Sequence, residues 1–130
     1  MRSYVLDTSA LLALLEDKPG AAKVQDCLKE AMRGHAGVSM SAVNYGEAFA
    51  VLQRTHGRDR ALSVLAALQP LPIAIEDATG QRAMAAADVK VRYRLYYADG
   101  FAAALAVEKN ATLATSDSDF RRLGHGFPIL

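Results

Sequence analysis

The sequence contains a single cysteine, no tryptophan and almost no surplus of either charge. Of its 130 residues, 15 are Lys or Arg and 14 are Asp or Glu, so the formal net charge is +1. One cysteine cannot form an internal disulfide, which excludes a disulfide-stabilised scaffold and favours a reducing compartment. We expect Cys27 to be a small buried hydrophobic residue. The balanced charge does not indicate nucleic-acid binding by overall attraction, although a local basic patch remains compatible with it.

Long apolar segments are also missing. No apolar run approaches the roughly 18 residues that a membrane span requires. The run at residues 10–15 is too short even for the core of a typical secretory signal. We therefore expect a soluble, cytoplasmic protein without a membrane partner.

Short apolar segments alternate with longer helical patterns along the chain. Strands are predicted at residues 4–6, 38–40, 73–75 and 112–114, and a fifth, at an edge that tolerates proline, at 127–129. Helices are predicted at 10–15, 21–32, 42–55, 62–68, 76–91 and 101–109. The apolar stripe of the second helix includes Met32, and Leu62, Leu65 and Leu68 form the apolar face of the fourth. This alternation predicts one α/β domain over residues 1–130, with a mostly parallel sheet of four to five short strands flanked by helices.

Four acidic residues stand where such a sheet places its ligand sites, beyond the carboxyl ends of the strands. Asp7 follows the first strand, Asp117 comes soon after the fourth, and Asp99 stands at a helix start. Glu47 lies inside a helix beside apolar neighbours, where a carboxylate is costly unless a cation compensates it. Each residue also has an ordinary alternative, as a helix N-cap or, for Glu47, as a side chain that leans toward solvent.

The segments around these acids resemble, in order, the four motifs of PIN domains. They read VLDTSALL at 5–12, SAVNYGE at 41–47, ADGFAAALA at 98–106 and ATSDSDF at 114–120. The second is similar to the motif of the VapC-like toxin branch, and the resemblance extends over residues 4–130. Two positions depart from the usual pattern. Ser116 stands where the family often has glycine, and Gly100 is a residue that weakens a first helical turn.

The resemblance implies that Asp7, Glu47, Asp99 and Asp117 are the catalytic residues and hold Mg²⁺ or Mn²⁺. It implies a metal-dependent endoribonuclease, the toxin of a type II toxin–antitoxin pair, which acts on an RNA substrate. It further implies a homodimer and a small cognate antitoxin whose tail blocks the acidic site.

Neutral polar residues beside the acids are candidates for positioning water or phosphate. The candidates are Thr8, Ser9, Asn44 and Thr115. The metal would convert water into a nucleophile and clamp the scissile phosphate, since hard Mg²⁺ prefers oxygen ligands. Ordinary capping or turn roles are the alternative for each of the four.

A basic stretch interleaved with tyrosines is the candidate for RNA contact. Lys90, Arg92 and Arg94 interleave with Tyr93, Tyr96 and Tyr97, which offers phosphate contacts and stacking surfaces together. The alternative is a solvated helix end.

Two non-catalytic functions remain open from the sequence. A receiver-type signalling domain shares the length and the acids at strand ends, but it needs a lysine at a later strand end, and none follows residues 112–115. A PIN-like fold that only binds RNA would make the four acids dispensable, so Asp7→Asn discriminates between binding and catalysis.

Overall fold

Pairs of helices separate the strands in the computed structural model, which describes residues 1–124 and 127–130. In chain order they are β1 (Arg2–Leu6), α1 (Thr8–Glu16), α2 (Ala21–Met32), β2 (Ala36–Ser41), α3 (Ala42–His56), α4 (Arg58–Ala66), β3 (Ala74–Glu76), α5 (Gly80–Tyr93), α6 (Tyr97–Glu108) and β4 (Thr112–Ala114). A 3₁₀ helix, Ser118–Leu123, follows β4.

The four strands form one parallel sheet in the order β3-β2-β1-β4. Leu6 at the end of β1 is in register with Met40 of β2 and with Ala114 of β4. This confirms the predicted fold class of a parallel sheet flanked by helices. It contradicts the receiver-type alternative, because the flavodoxin-like order of that fold places β1 between β2 and β3.

The predicted fifth strand is reduced to a single bridge. Ile129 lies beside Leu113, whose amide donates to the carbonyl of Pro128 at 3.0 Å and whose carbonyl accepts from Leu130 N at 2.8 Å. Proline has no backbone N–H to donate, so it cannot extend a ladder of hydrogen bonds.

Apolar residues fill both faces of the sheet. Because successive strand residues point to opposite faces, Leu6 packs with Leu11, Met40 and Leu52 on one side, while Val5 packs on the other. Cys27 belongs to the first cluster, as predicted, and burial raises the pKa of its thiol to about 11. Among the described residues, no helix is long and apolar enough to cross a bilayer.

Two predicted core residues face solvent instead. Met32, at the end of α2, is 69% exposed, and Leu62 of α4 is 42% exposed. In α4 the buried positions are Ala61 and Leu65. The buried face of this helix therefore includes Ala61 and not the larger Leu62 that follows it. The small Ala61 side chain is completely buried.

The helix predicted from residue 76 starts later. Thr79 caps α5 by accepting a hydrogen bond from Arg82 N at 3.2 Å. Glu76 is the last residue of β3, and its carboxylate forms ion pairs with Arg82 at 3.1 Å and with Lys109 at 3.0 Å. Glu76 therefore ends the strand, and the cap that starts the helix is Thr79.

Helix α6 begins at Tyr97 and is capped by Tyr96, so Asp99 lies within the first turn and is not the N-cap. Gly100, the next residue, is buried against α5. A Cβ atom at this position would lie 2.6 Å from the carbonyl oxygen of Ala86. The glycine that weakens the helical turn is required by the close approach of the two helices.

Candidate active site

Asp7 joins β1 directly to α1. Its backbone is extended, and its Oδ1 accepts a hydrogen bond from Ala10 N at 2.8 Å, so it ends the strand and caps the helix. Capping by aspartate satisfies a helix N–H group that otherwise has no partner. The side chain is only 2% exposed. A carboxylate is thus fixed in one orientation at the carboxyl edge of the sheet.

Hydroxyl groups complete the surroundings of the Asp7 carboxylate. Ser9 Oγ donates to Oδ1 at 2.7 Å, and the Thr115 hydroxyl donates to Oδ2. Burial raises the pKa of Asp7, since removal from water disfavours the charged form. The hydrogen bonds from Thr115, Ala10 and Ser9 lower that pKa, and the nearby charge of Asp117 raises it further.

Asp117 is brought to Asp7 by the pairing of β1 with β4. The amide of Asp7 donates to the carbonyl of Ala114 at 3.2 Å, so Thr115 follows directly alongside Asp7. Thr115 Oγ1 accepts from Asp117 N at 2.9 Å. Ser116 N donates to Ser9 Oγ at 2.9 Å, which joins the same two segments a second time. One threonine therefore contacts the side chain of Asp7 and the backbone of Asp117.

Glu47 is exposed on α3, as expected from the alternative prediction that its side chain leans toward solvent. Its Oε1 accepts a hydrogen bond of 2.6 Å from Thr8 Oγ1. Because Thr8 is the neighbour of Asp7, this bond ties Glu47 to the segment that holds the buried acid.

Asp99 is half-buried in the first turn of α6. The carbonyl of its neighbour Ala98 accepts a hydrogen bond of 2.9 Å from Asn44 Nδ2. The same amide nitrogen lies 3.3 Å from Thr8 Oγ1. Sequence reasoning did not find these links, because they join residues that lie far apart in the chain.

Charge and hydrogen bonds connect the four predicted acids. Asp7 and Asp117 are close enough for their charges to interact, Thr8 binds Glu47, and Asn44 joins Thr8 to the carbonyl that precedes Asp99. Within residues 1–124 and 127–130, no group of three or more His, Cys, Asp or Glu side chains is arranged to hold a metal ion.

The chemistry of Asp7 nevertheless fits a cation. Among the described side chains, no Lys, Arg or His forms an ion pair with this buried carboxylate, and its charge is balanced by neutral donors alone. A buried carboxylate beside a second carboxylate is stabilised when a divalent ion with oxygen ligands is shared between them.

The basic residues stand at the carboxyl end of α5. Arg92 and Arg94 are exposed, Lys90 is half-buried, and Arg92 lies over the ring of Tyr93 at 5.3 Å from its centroid. Tyr96, the N-cap of α6, lies three residues before Asp99 and is 76% exposed. This cationic and aromatic surface therefore lies next to the start of α6, the helix that carries Asp99.

The PIN domain family model matches residues 4–126. No curated protein matches the sequence. Solved structures with the same fold include VapBC2 from Rickettsia felis bound to a promoter DNA fragment, with 16% identity, a TM-score of 0.75, and coverage of 98% of this chain and 97% of that one.

Two further structures are comparable. DNA-bound VapBC from Salmonella typhimurium has 15% identity and a TM-score of 0.73, with coverage of 100% of this chain and 98% of that chain. VapC20 from Mycobacterium tuberculosis, a sarcin-ricin loop cleaving toxin, has 20% identity and a TM-score of 0.72, with coverage of 93% and 95%. At these identities the likeness establishes the fold.

Proposed function

Because the chain belongs to the PIN domain family, we propose that it is a divalent-cation-dependent endoribonuclease and the toxin of a toxin–antitoxin pair. The observation that carries the proposal is the buried Asp7 carboxylate, which is close enough to Asp117 for their charges to interact and forms no ion pair with any described side chain. Such a group is costly in a purely structural role.

The proposed ligands of Mg²⁺ or Mn²⁺ are Asp7, Glu47, Asp99 and Asp117. When bound, the ion lowers the pKa of a coordinated water molecule and neutralises charge on the phosphate. Ser9 and Thr115 hold the Asp7 carboxylate in one orientation with their hydroxyl protons, and Thr8 does the same for Glu47. Fixed carboxylates need little reorganisation when charge develops during phosphodiester hydrolysis.

The proposed substrate is RNA. Lys90, Arg92 and Arg94 would contact phosphates, and exposed Tyr96 would stack on a base, since ring stacking and cationic contacts together suit single-stranded nucleic acid. VapC20, whose fold is similar, is a toxin that cleaves the sarcin-ricin loop, which supports this substrate class.

The proposed partners are a cognate antitoxin and a second copy of the chain. Two of the similar structures are VapBC complexes, which supports an antitoxin that binds the toxin. Met84 and Val91 on α5 are both more than 70% exposed, and they would become buried in a homodimer. As a toxin that acts on RNA, the protein would work in the cytoplasm.

The test compares the wild type with Asp7→Asn on total cellular RNA, with Mg²⁺, with Mn²⁺ and with EDTA. We expect discrete cuts by the wild type in either metal and none in EDTA. Asp7→Asn should make no cuts, whereas Asp88→Asn, which alters an exposed acid on α5, should cut like the wild type.

A second experiment measures bacterial growth after expression of the wild type or of Asp7→Asn is induced without an antitoxin. The wild type should arrest growth and Asp7→Asn should not. A folded wild type that binds RNA but cuts nothing in any metal would support the binding-only alternative and reject the nuclease.

A further inference from the structure

Asn44 is the most deeply buried polar residue of the described chain. Its side chain has no exposed surface, although it lies on α3 only three residues before the exposed Glu47. A side chain without exposed atoms offers nothing to an RNA phosphate in the groove. Its function must therefore be exerted through the groups that it contacts.

The contacts of Asn44 join three segments. Its Nδ2 donates to the carbonyl of Ala98 at 2.9 Å and to Thr8 Oγ1 at 3.3 Å. Thr8 uses its own proton in the 2.6 Å bond to Glu47. An exchange of the amide nitrogen and oxygen would place two acceptors 2.9 Å apart at Ala98, so this network fixes the orientation of the amide.

The other atom of the amide argues against a purely stabilising role. Asn44 Oδ1 is buried and has no hydrogen-bond partner among the described residues. A buried acceptor without a partner destabilises the folded state, whereas a leucine, which has the same branched shape, would bury no polar atom. Stability alone therefore does not favour asparagine at this position.

The backbone around Asp99 is restrained on both sides. Asn44 binds the carbonyl of Ala98, and Gly100 packs against the carbonyl oxygen of Ala86. Asp99 lies between these two contacts, so a change at Asn44 releases one restraint on its position.

We propose that Asn44 is a positioning residue that sets Asp99 and Glu47 relative to Asp7, through the Ala98 carbonyl and through Thr8. This inference rests on the proposed function. Neutral groups that orient metal ligands typically contribute about tenfold to a hundredfold in metal affinity or in activity.

The experiment measures Mn²⁺ affinity by calorimetry, together with kcat and KM on RNA, for Asn44→Leu in the full chain. Ser41→Ala is the matched control. Ser41 caps the same helix by accepting from Val43 N, so its loss weakens α3 without touching the acids. We expect Asn44→Leu to weaken Mn²⁺ binding by about tenfold and to lower kcat by a similar factor, with KM within about twofold. Ser41→Ala should keep the wild-type Mn²⁺ affinity.

Wild-type Mn²⁺ affinity in folded Asn44→Leu overturns the inference, and so does equal weakening in Ser41→Ala. If Asn44→Leu does not fold, Asn44→Ala decides, because it removes the same two hydrogen bonds without placing a bulkier side chain in the core. Normal Mn²⁺ affinity in Asn44→Ala then overturns the inference, and weakened affinity supports it. A wild type that binds Mn²⁺ but cuts no RNA rejects the nuclease proposal alone, because the comparison of affinities still tests Asn44. A wild type that binds no Mn²⁺ overturns both.

Discussion

Gly100 of α6 meets the carbonyl oxygen of Ala86 on α5 so closely that a Cβ atom would lie 2.6 Å from it. Gly100→Ala should therefore force the helices apart and destabilise the fold by about 1–2 kcal/mol, even though alanine favours a helix more than glycine does. Urea denaturation measures this loss. Because Asp99 precedes Gly100, the variant should also lose nuclease activity.

Gly46 provides the opposite case. It also lies in a helix, but a Cβ atom at this position would have no other heavy atom within 4 Å. Gly46→Ala should stabilise the protein by about 0.5–1 kcal/mol. Equal effects of the two substitutions would show that the contact between Ala86 and Gly100 does not limit the packing of α5 on α6.

Asp7 should make the metal-free protein less stable at neutral pH. Because burial raises its pKa in the folded state, the folded protein holds the proton more tightly, and stability falls as the pH rises through that value. Asp7→Asn keeps a capping side chain and carries no charge. In EDTA its melting temperature should exceed that of the wild type by a few degrees at pH 7, with a smaller difference toward about pH 3.

Differential scanning calorimetry across this pH range checks the expectation, with Asp88→Asn as an exposed control. A melting temperature of Asp7→Asn that lies below the wild type at every pH would contradict it.

Thr115 should tune the ionisation of Asp7. Its hydroxyl donates to the carboxylate and lowers the pKa, so Thr115→Val should raise that pKa. We expect the acidic limb of kcat/KM against pH to move to higher pH, and activity to fall by about tenfold to a hundredfold. Thr115→Ser keeps the hydroxyl and should restore both. An unshifted limb in a folded Thr115→Val would count against this role.

Lys90 and Arg92 should affect substrate binding and not the chemical step. In the inactive Asp7→Asn background, each substitution by Gln should weaken RNA binding. Each should also reduce the slope of log Kd against log salt concentration by about 0.7, the value for one phosphate contact on a single strand. Arg58→Gln, at the exposed start of α4, is the control and should leave the slope unchanged. Unchanged slopes for all three would place the RNA elsewhere.

The sequence predicted the parallel sheet because strands such as residues 4–6 are short apolar runs followed by a capping residue. It misplaced the start of α5, because Glu76 and Asp77 look like capping residues. Glu76 instead pairs with Lys109, a contact across 33 positions that no local pattern contains. Leu62 was misassigned for a related reason, since the size of a side chain does not reveal which side of a short helix faces its neighbour.

For the site, the sequence identified the acids but not their connections. The motifs contain Thr8 and Asn44 near Asp7 and Glu47, yet the bond from Asn44 to Ala98 spans 54 positions. Gly100 carried a usable signal, because glycine in a first helical turn is unfavourable unless packing requires it. The identity of its partner, Ala86, follows only from the packing of α5 on α6.

The pairing of β4 with β1 has a consequence for synthesis of the protein. Thr115 and Asp7, which share a hydrogen bond, are 108 positions apart. Because β4 is made last of the four strands and β1 first, a growing chain lacks the joined acidic site until nearly all of the fold has left the ribosome. Under the proposed function, a nascent chain with this topology has no joined acidic site while its earlier strands are still being translated.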